Sequence, residues 1–207
     1  MYTLYCRNTA GSMAPEALLA ACGAHYKVII LERIADGSFG AFFHKINPKA
    51  EVPTLVLPDD SIMTESAAMM IHLADLHPEA GLAPAIGTPE RARFLRWQVF
   101  LATQVYQSDL RLFYPERYTL VPSETAGIKA RAEEMMMSEF AIYAEALGQG
   151  PFLLGERMSA VDIYAAMLCT WAPDVPALFA RHENLKRMYD GVLANEEVRR
   201  VWERNGA

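Results

Sequence analysis

The chain has 207 residues, of which 52% are hydrophobic and 21% are charged, which is the composition of a folded globular protein and excludes a disordered one. Its formal net charge is −6 without a basic stripe, which argues against binding to nucleic acid or to an anionic membrane surface. No apolar signal core opens the chain, and no apolar run approaches the roughly 18 residues that a membrane helix needs.

The cysteines and histidines indicate neither a disulfide framework nor a metal site. The three cysteines are odd in number and widely spaced, which is typical of a reducing compartment, so we expect a cytoplasmic protein. The five histidines lack the spacing of zinc ligands, and we predict no metal. These residues are Cys6, Cys22 and Cys169, and His25, His44, His72, His77 and His182.

The first third of the chain alternates between strand and helix patterns. Short β-branched or aliphatic runs predict strands, and Ala/Leu-rich runs with a proline near the start or a glycine after the end predict helices. The predicted order is β-α-β-α-β-β-α. The strands are expected at residues 2–6, 27–31, 54–57 and 61–63, and the helices at 13–22, 39–46 and 65–77.

A segment rich in proline and glycine, residues 79–89, is the one clear domain boundary. After it, apolar residues recur at steps of three and four, as at Phe94, Trp97, Leu101 and Val105, which predicts amphipathic helices throughout. We therefore expect an α/β domain over residues 1–79, a linker over 80–88 and an all-helical domain over 89–207.

Three segments together resemble one family. Residues 47–55 read NPKAEVPTL and are followed by TESAA at 64–68; residues 88–92 read TPERA; residues 152–162 read FLLGERMSAVD. In this order and spacing they resemble the soluble bacterial glutathione S-transferases, and the resemblance covers essentially the whole chain. It implies a thioredoxin-like glutathione-binding domain followed by a helical-bundle domain.

The resemblance implies that Pro53 follows a cis peptide bond and that Val52 offers its N–H and C=O to the cysteinyl part of glutathione, as an added strand would. The alternative is an ordinary trans proline that begins a strand. Lys49 is a candidate for the glycyl carboxylate of glutathione, although a solvated surface lysine explains it equally well.

Glu65 and Ser66 precede a predicted helix, where unpaired backbone N–H groups favour a carboxylate. A Ser66 hydroxyl donor and a Glu65 acceptor suit the γ-glutamyl end of glutathione, which carries both a carboxylate and an ammonium group. The alternative is simple capping of the helix, with Thr64 as its N-cap. In the third segment, Ser159 and Asp162 form a variant capping box, to which we assign a structural role.

Transfer of glutathione requires its thiolate, and lowering a thiol pKa by about two units needs about 2.7 kcal/mol. One hydrogen bond to the charged sulfur supplies about 1.5–3 kcal/mol, and a helix N-terminus adds about 0.3–1 kcal/mol. Ser12, just before the first helix, is the preferred donor, although it could simply cap that helix. Tyr5 at the end of the first strand is the second candidate and Thr9 the third.

The chain also departs from the family pattern. Relatives of the cysteine-using branch carry a cysteine where Gly11 stands, so mixed-disulfide chemistry is not expected there. The His-Lys pair of that branch aligns with Tyr106 and Gln107. Ala50 stands where a glycine is common.

The resemblance implies that the second substrate lies between the first loop and the helical domain. Aromatic, leucine and methionine side chains are the candidates to line that site, although such residues at helical spacing more often belong to a core. The turn at residues 113–118 is the strongest candidate, because Pro115 ends the helix and its three aromatic residues are hard to bury together. The full candidate set is Met13, Tyr106, Leu110, Phe113, Tyr114, Tyr118 and Trp171.

The resemblance thus implies an enzyme whose bound glutathione thiolate attacks a small hydrophobic electrophile. Glutathione-dependent reduction, isomerisation, dehalogenation or ether cleavage on the same scaffold is the alternative reaction. A non-catalytic docking module with this fold is the alternative of another class. The resemblance further implies a homodimer, with the first domain of one chain against the helical domain of the other.

Overall fold

A computed structural model describes residues 1–35 and 37–207. Four strands form one sheet: β1 (Tyr2–Cys6), β2 (Tyr26–Ile30), β3 (Thr54–Val56) and β4 (Ile62–Met63). The helices of the first part of the chain are α1 (Met13–Ala21), α2 (Ala41–Ile46) and α3 (Ser66–Leu76). The later helices are α4 (Pro89–Phe100), α5 (Tyr106–Phe113), α6 (Thr125–Leu147), α7 (Ala160–Cys169), α8 (Val175–Arg181), α9 (Glu183–Leu193) and α10 (Glu196–Asn205).

The sheet has the order β2-β1-β3-β4. β1 runs parallel to β2 and antiparallel to β3, and β3 runs antiparallel to β4. Alternating burial along β1 places Tyr2, Leu4 and Cys6 in the core, as expected for a strand. The predicted order of strands and helices is confirmed, with boundaries that shift by one or two residues.

Two compact units make up the structure: residues 1–83 together with 193–207, and residues 84–192. The first contains the sheet, α1, α2 and α3. It also contains α10, which packs against α1 through a face on which Val198, Val201 and Trp202 are buried. The compact units therefore differ from the predicted domain ranges in the placement of the last helix.

The second unit is helical over nearly its whole length, as the 3.6-residue periodicity predicts. One π-helical turn, Leu101–Val105, lies between α4 and α5. Such a turn is uncommon and often occurs near functional sites. α5 ends at Phe113, and Pro115 then begins a short 3-10 turn, so the predicted break at this proline is confirmed. Among the described helices, none is both long enough and apolar enough to cross a membrane.

Asp162 fixes the start of α7 from a buried position. It accepts hydrogen bonds from the backbone N–H of Ser159 (2.8 Å), the Ser159 hydroxyl (2.7 Å) and the backbone N–H of Leu153 (2.9 Å). Burial raises the pKa of Asp162 to about 6, whereas these hydrogen bonds act in the opposite direction. The capping-box arrangement predicted for Ser159 and Asp162 is present, and all of its partners belong to the helical unit.

Candidate functional site

The topology of the sheet gathers three loops at one edge. β1 and β3 are antiparallel with Tyr5 opposite Thr54, so the loop after β1 lies beside the loop before β3. β4 is antiparallel to β3 with Met63 opposite Leu55, so the chain leaves β4 at the same edge. We call this the loop edge and define it as residues 7–12, 47–53 and 64–68.

The width of the loop edge suits a short extended peptide. β1, β3 and β4 are neighbours in the sheet, and adjacent strands lie about 4.8 Å apart, so the edge spans about 10 Å from β1 to β4. An extended tripeptide is also about 10 Å long. One tripeptide could therefore contact all three loops at once.

The Asn47 side chain holds the loop before β3 in shape. Asn47 is buried, and its amide nitrogen donates hydrogen bonds to the Glu51 carbonyl and the Thr54 hydroxyl, both at 2.9 Å. The Thr54 hydroxyl in turn donates to the Glu51 carbonyl at 2.9 Å, and the Asn47 amide oxygen accepts from the Lys49 N–H at 3.0 Å. Each polar group of the amide is satisfied, which makes one conformation of the loop strongly preferred.

This loop presents Val52 with its backbone unpaired. The Val52–Pro53 peptide bond is cis, so the isomer implied by the family resemblance is confirmed. The Val52 side chain packs on the small core formed by Leu31, Phe39 and Phe43. Within residues 1–35 and 37–207, the N–H and C=O of Val52 have no hydrogen-bond partner. Val52 therefore offers one donor and one acceptor at the loop edge.

Helix α3 begins at the loop edge with an open N-terminus. Glu65 is its N-cap and its side chain makes no capping hydrogen bond, so the alternative in which Thr64 caps the helix is wrong. Ser66 is the first helical residue. The N–H groups of Ala67 and Ala68 find no acceptor in the described part of the chain. Unpaired N–H groups at a helix start attract carboxylates.

Lys49 lies on the surface and is already paired. Its ammonium group is 3.1 Å from the Glu51 carboxylate, and both side chains are exposed. The hydrogen bond to Glu51 raises the pKa of Lys49, so this residue carries a full positive charge at neutral pH. A pair this exposed contributes little stability, which leaves Lys49 able to exchange Glu51 for another carboxylate.

Ser12, the preferred thiolate donor at the sequence level, is occupied elsewhere. It is buried, its hydroxyl donates to the Arg7 carbonyl at 3.0 Å, and it accepts from the Arg7 N–H at 3.3 Å. It makes no side-chain capping bond to α1, so the capping alternative is also not what the structure shows. Ser12 closes the loop after β1 on itself, and its proton is committed to a backbone carbonyl.

Thr9 and Tyr5 are less buried than Ser12. Thr9 is exposed, and its hydroxyl donates at 2.7 Å only to the carbonyl of the preceding Asn8. The Tyr5 ring packs on Phe43 with the ring centroids 5.4 Å apart, and its hydroxyl has no hydrogen-bond partner among the described residues. Cys6 is buried in β1, and burial raises the pKa of its thiol, which does not suit a nucleophile.

Strained backbone marks all three loops. In the part of the chain that the structure describes, four non-glycine residues have positive φ, and three of them lie on the loop edge: Thr9 (55°), Ala50 (50°) and Glu65 (66°). This region is unfavourable for L-residues, most of all for a β-branched one such as Thr9. The positive φ of Ala50 is a physical reason for the glycine common at its position. Strain of this kind concentrates at ligand sites.

The side chains expected to line the second-substrate site differ in how deeply they are buried. Met13 is fully buried, which does not fit a residue that lines an open site. In the helical unit, Tyr106 packs edge-to-face on Trp171 with ring centroids 5.2 Å apart, and Leu110 is partly buried. The buried indole N–H of Trp171 has no acceptor in the described part of the chain.

The aromatic turn after α5 is partly exposed to solvent. Phe113, Tyr114 and Tyr118 are exposed by 54%, 36% and 39%. Arginines organise the turn from within the same unit: the Arg117 guanidinium lies 4.1 Å from the centre of the Tyr114 ring, and that of Arg111 lies 4.9 Å from the centre of the Tyr118 ring. Among the described residues, no group of three or more metal-ligating side chains is present.

Comparison with known proteins gives consistent matches for both parts of the chain. Residues 12–76 match the family described as glutathione S-transferase, N-terminal domain, and residues 112–196 match glutathione S-transferase, C-terminal domain. The GST-like protein YncG of Escherichia coli (strain K12) is 30% identical over 196 residues, which is 94% of each protein. The glutathione S-transferase GstA of Escherichia coli O157:H7 is 26% identical over 174 residues, 82% of this chain and 81% of GstA.

A solved structure agrees with the fold. The glutathione transferase homologue from Sulfitobacter, determined with bound glutathione, superposes with a TM-score of 0.88 at 24% identity, covering 99% of this chain and 98% of the other. At this identity the match shows the shared fold, in which a thioredoxin-like first domain is followed by a helical one. The fold class expected from the sequence is thereby confirmed.

Loss of the Asn47 amide should destabilise the first unit. Asn47→Ala removes the hydrogen bonds at Glu51, Thr54 and Lys49 and leaves buried polar groups unsatisfied, so we expect the free energy of unfolding to fall by about 2–3 kcal/mol. Urea unfolding followed by circular dichroism measures this change. Asn8→Ala, at an exposed position, is the control and should change stability by less than about 0.5 kcal/mol. Equal stability of the two variants would contradict a loop held by Asn47.

Proposed function

Because the chain belongs to the glutathione S-transferase family, we propose that it binds glutathione along the loop edge and delivers the glutathione thiolate to a small hydrophobic electrophile. The observation that carries the proposal is the unpaired backbone of Val52 in a loop that the Asn47 network holds rigid. The cysteinyl residue of glutathione would pair with the Val52 N–H and C=O as an added antiparallel strand.

The two charged ends of glutathione extend along the same edge in this proposal. The γ-glutamyl carboxylate binds at Ser66 and at the N–H groups of Ala67 and Ala68 at the start of α3, and the γ-glutamyl ammonium binds the Glu65 carboxylate. The glycyl carboxylate is assigned to Lys49, which exchanges its exposed contact with Glu51 for the ligand. Pro53, between Val52 and β3, fixes the direction in which the chain enters the sheet.

Thr9 is the proposed thiolate donor, in place of Ser12. Both hydroxyls donate to a backbone carbonyl, but Thr9 is exposed on the loop after β1, whereas Ser12 is buried. The strained backbone of Thr9 is a further reason, because such conformations persist mainly where function requires them. Tyr5 is the alternative donor. No cysteine lies in this loop, which favours thiolate attack over a mixed disulfide with glutathione.

The helical unit is proposed to supply the apolar part of the electrophile site. The candidates that are not fully buried are retained. They are the exposed aromatic turn, with Phe113, Tyr114 and Tyr118, and the partly buried Tyr106 and Trp171. Leu110, between them on α5, belongs to the same set. We also propose that the protein acts as a cytoplasmic homodimer, as the family resemblance implies.

Calorimetric titration of glutathione into the purified protein tests the binding site. Removal of a charge-assisted hydrogen bond costs about 1.5–3 kcal/mol, so Glu65→Ala and Ser66→Ala should each weaken binding by roughly tenfold to a hundredfold. Asp59→Ala, in the exposed turn at the opposite end of β3 and β4, is the matched control and should bind like the wild type. Absence of binding by the wild type at about millimolar glutathione would refute the proposed function.

The ultraviolet absorbance of the bound thiolate, measured against pH, identifies the donor. Thr9→Val keeps the shape of the side chain and removes its hydroxyl, so the pKa of bound glutathione should rise by about one to two units toward the free value near 8.5. Ser12→Ala and Tyr5→Phe should leave this pKa close to that of the wild type. A rise in Tyr5→Phe with none in Thr9→Val would transfer the role to Tyr5.

A further inference from the structure

The last helix reaches the loop that carries the proposed thiolate donor. Asn205, the final residue of α10, is buried, and its side-chain oxygen accepts a hydrogen bond from the Thr9 N–H at 3.2 Å. Its side-chain nitrogen donates to the Val201 carbonyl one turn earlier, at 2.8 Å. This second bond fixes the amide orientation, so that the oxygen points at the loop. The contact joins residues that lie 196 positions apart in the chain.

Arg204, the residue before Asn205, contacts α1, the helix that follows the loop after β1. Arg204 forms an ion pair with the Glu16 carboxylate on α1, which is almost fully buried, while Arg204 itself is partly exposed. A buried carboxylate without a cation is strongly unfavourable, so this pair ties α10 to α1. The loop after β1 is therefore fastened at Thr9 by Asn205 and at the first turns of α1 by Arg204.

Thr9 needs such a partner because its backbone conformation is unfavourable in isolation. A β-branched residue at a φ of 55° persists only when the surrounding structure determines it. Within the loop, Ser12 bonds to Arg7 and leaves the Thr9 backbone untouched. Among the described residues, Asn205 accepts the hydrogen bond that the Thr9 N–H donates to another element of the fold.

We propose that the last turn of α10 sets the conformation of the donor loop, with Asn205 and Arg204 as positioning residues for the Thr9 hydroxyl. This inference rests on the function proposed above. Neither residue contacts the reacting sulfur in this scheme. Each acts through the direction in which the Thr9 side chain leaves the backbone.

Variants of Asn205, made in the full-length protein, test the proposal. Asn205→Ala removes the acceptor, so the pKa of bound glutathione, read from thiolate absorbance, should rise by about one unit, which is a tenfold loss of thiolate at low pH. The turnover number with an aromatic halide should fall with it, while the glutathione affinity measured by calorimetry stays within about threefold of wild type.

Asn195→Ala is the matched control, because Asn195 caps the other end of α10 and its side chain accepts hydrogen bonds from the N–H groups of Glu197 and Val198. It weakens the helix without touching the donor loop and should leave the thiol pKa unchanged. If Asn205→Ala does not fold, Asn205→Gln provides the second test, since it moves the acceptor by one methylene and should also raise the pKa.

The outcomes separate this inference from the proposed function. A wild-type protein that binds no glutathione, or does not lower its thiol pKa, refutes the function and the inference together. A wild type that lowers the pKa, with a folded Asn205→Ala or Asn205→Gln variant of unchanged pKa, refutes the inference alone. An equal rise in Asn195→Ala would also refute it, because the effect would then follow general weakening of α10.

Discussion

The hydrogen bonds of one buried amide, that of Asn47, constrain the loop on which the proposed chemistry depends. The amide joins the Glu51 carbonyl, the Thr54 hydroxyl and the Lys49 N–H, so a loop of eight residues has little freedom to rearrange. A backbone strand added by a ligand gains affinity only if its partner is held in place beforehand, because ordering at the time of binding reduces the net free energy. The rigid loop supplies that order at Val52.

The topology of the sheet then places this loop beside the two other loops of the loop edge. The alternation of parallel and antiparallel neighbours brings the ends of β1 and β4 and the start of β3 to one edge of the sheet. Each of the three loops there contains a non-glycine residue with positive φ. Packing elsewhere has to stabilise these conformations, and α10 does so at Thr9, although it lies at the far end of the sequence. The loop edge is thus held by the Asn47 hydrogen bonds, which join residues close in sequence, and by the Asn205 hydrogen bond, which joins residues far apart in sequence.

Much of the fold and part of the candidate site could be predicted from the sequence. The remaining features could not be predicted, for physical reasons. Strand and helix order followed from periodicity and turn residues, and the cis bond at Pro53 and the capping box at Asp162 followed from motifs. The place of Ser12 just before a helix favours a thiolate donor or an N-cap, and nothing local in the sequence indicates that its hydroxyl donates to the Arg7 carbonyl. The contact between Asn205 and Thr9 has no local signal, since it depends on the packing of α10 against α1. Asn47, in contrast, has a local sequence signal, because an asparagine before a proline favours a turn.

The most direct measurement is a crystal structure of the protein with glutathione. A ligand bound as proposed would place its cysteinyl backbone against Val52, with N···O distances of about 2.8–3.1 Å in both directions and the γ-glutamyl carboxylate at the start of α3. The loop from Asn47 to Thr54 would keep its internal hydrogen bonds, because it is already formed without the ligand. Glutathione bound away from the loop edge, or a Val52 backbone left unpaired in the complex, would contradict the proposed site.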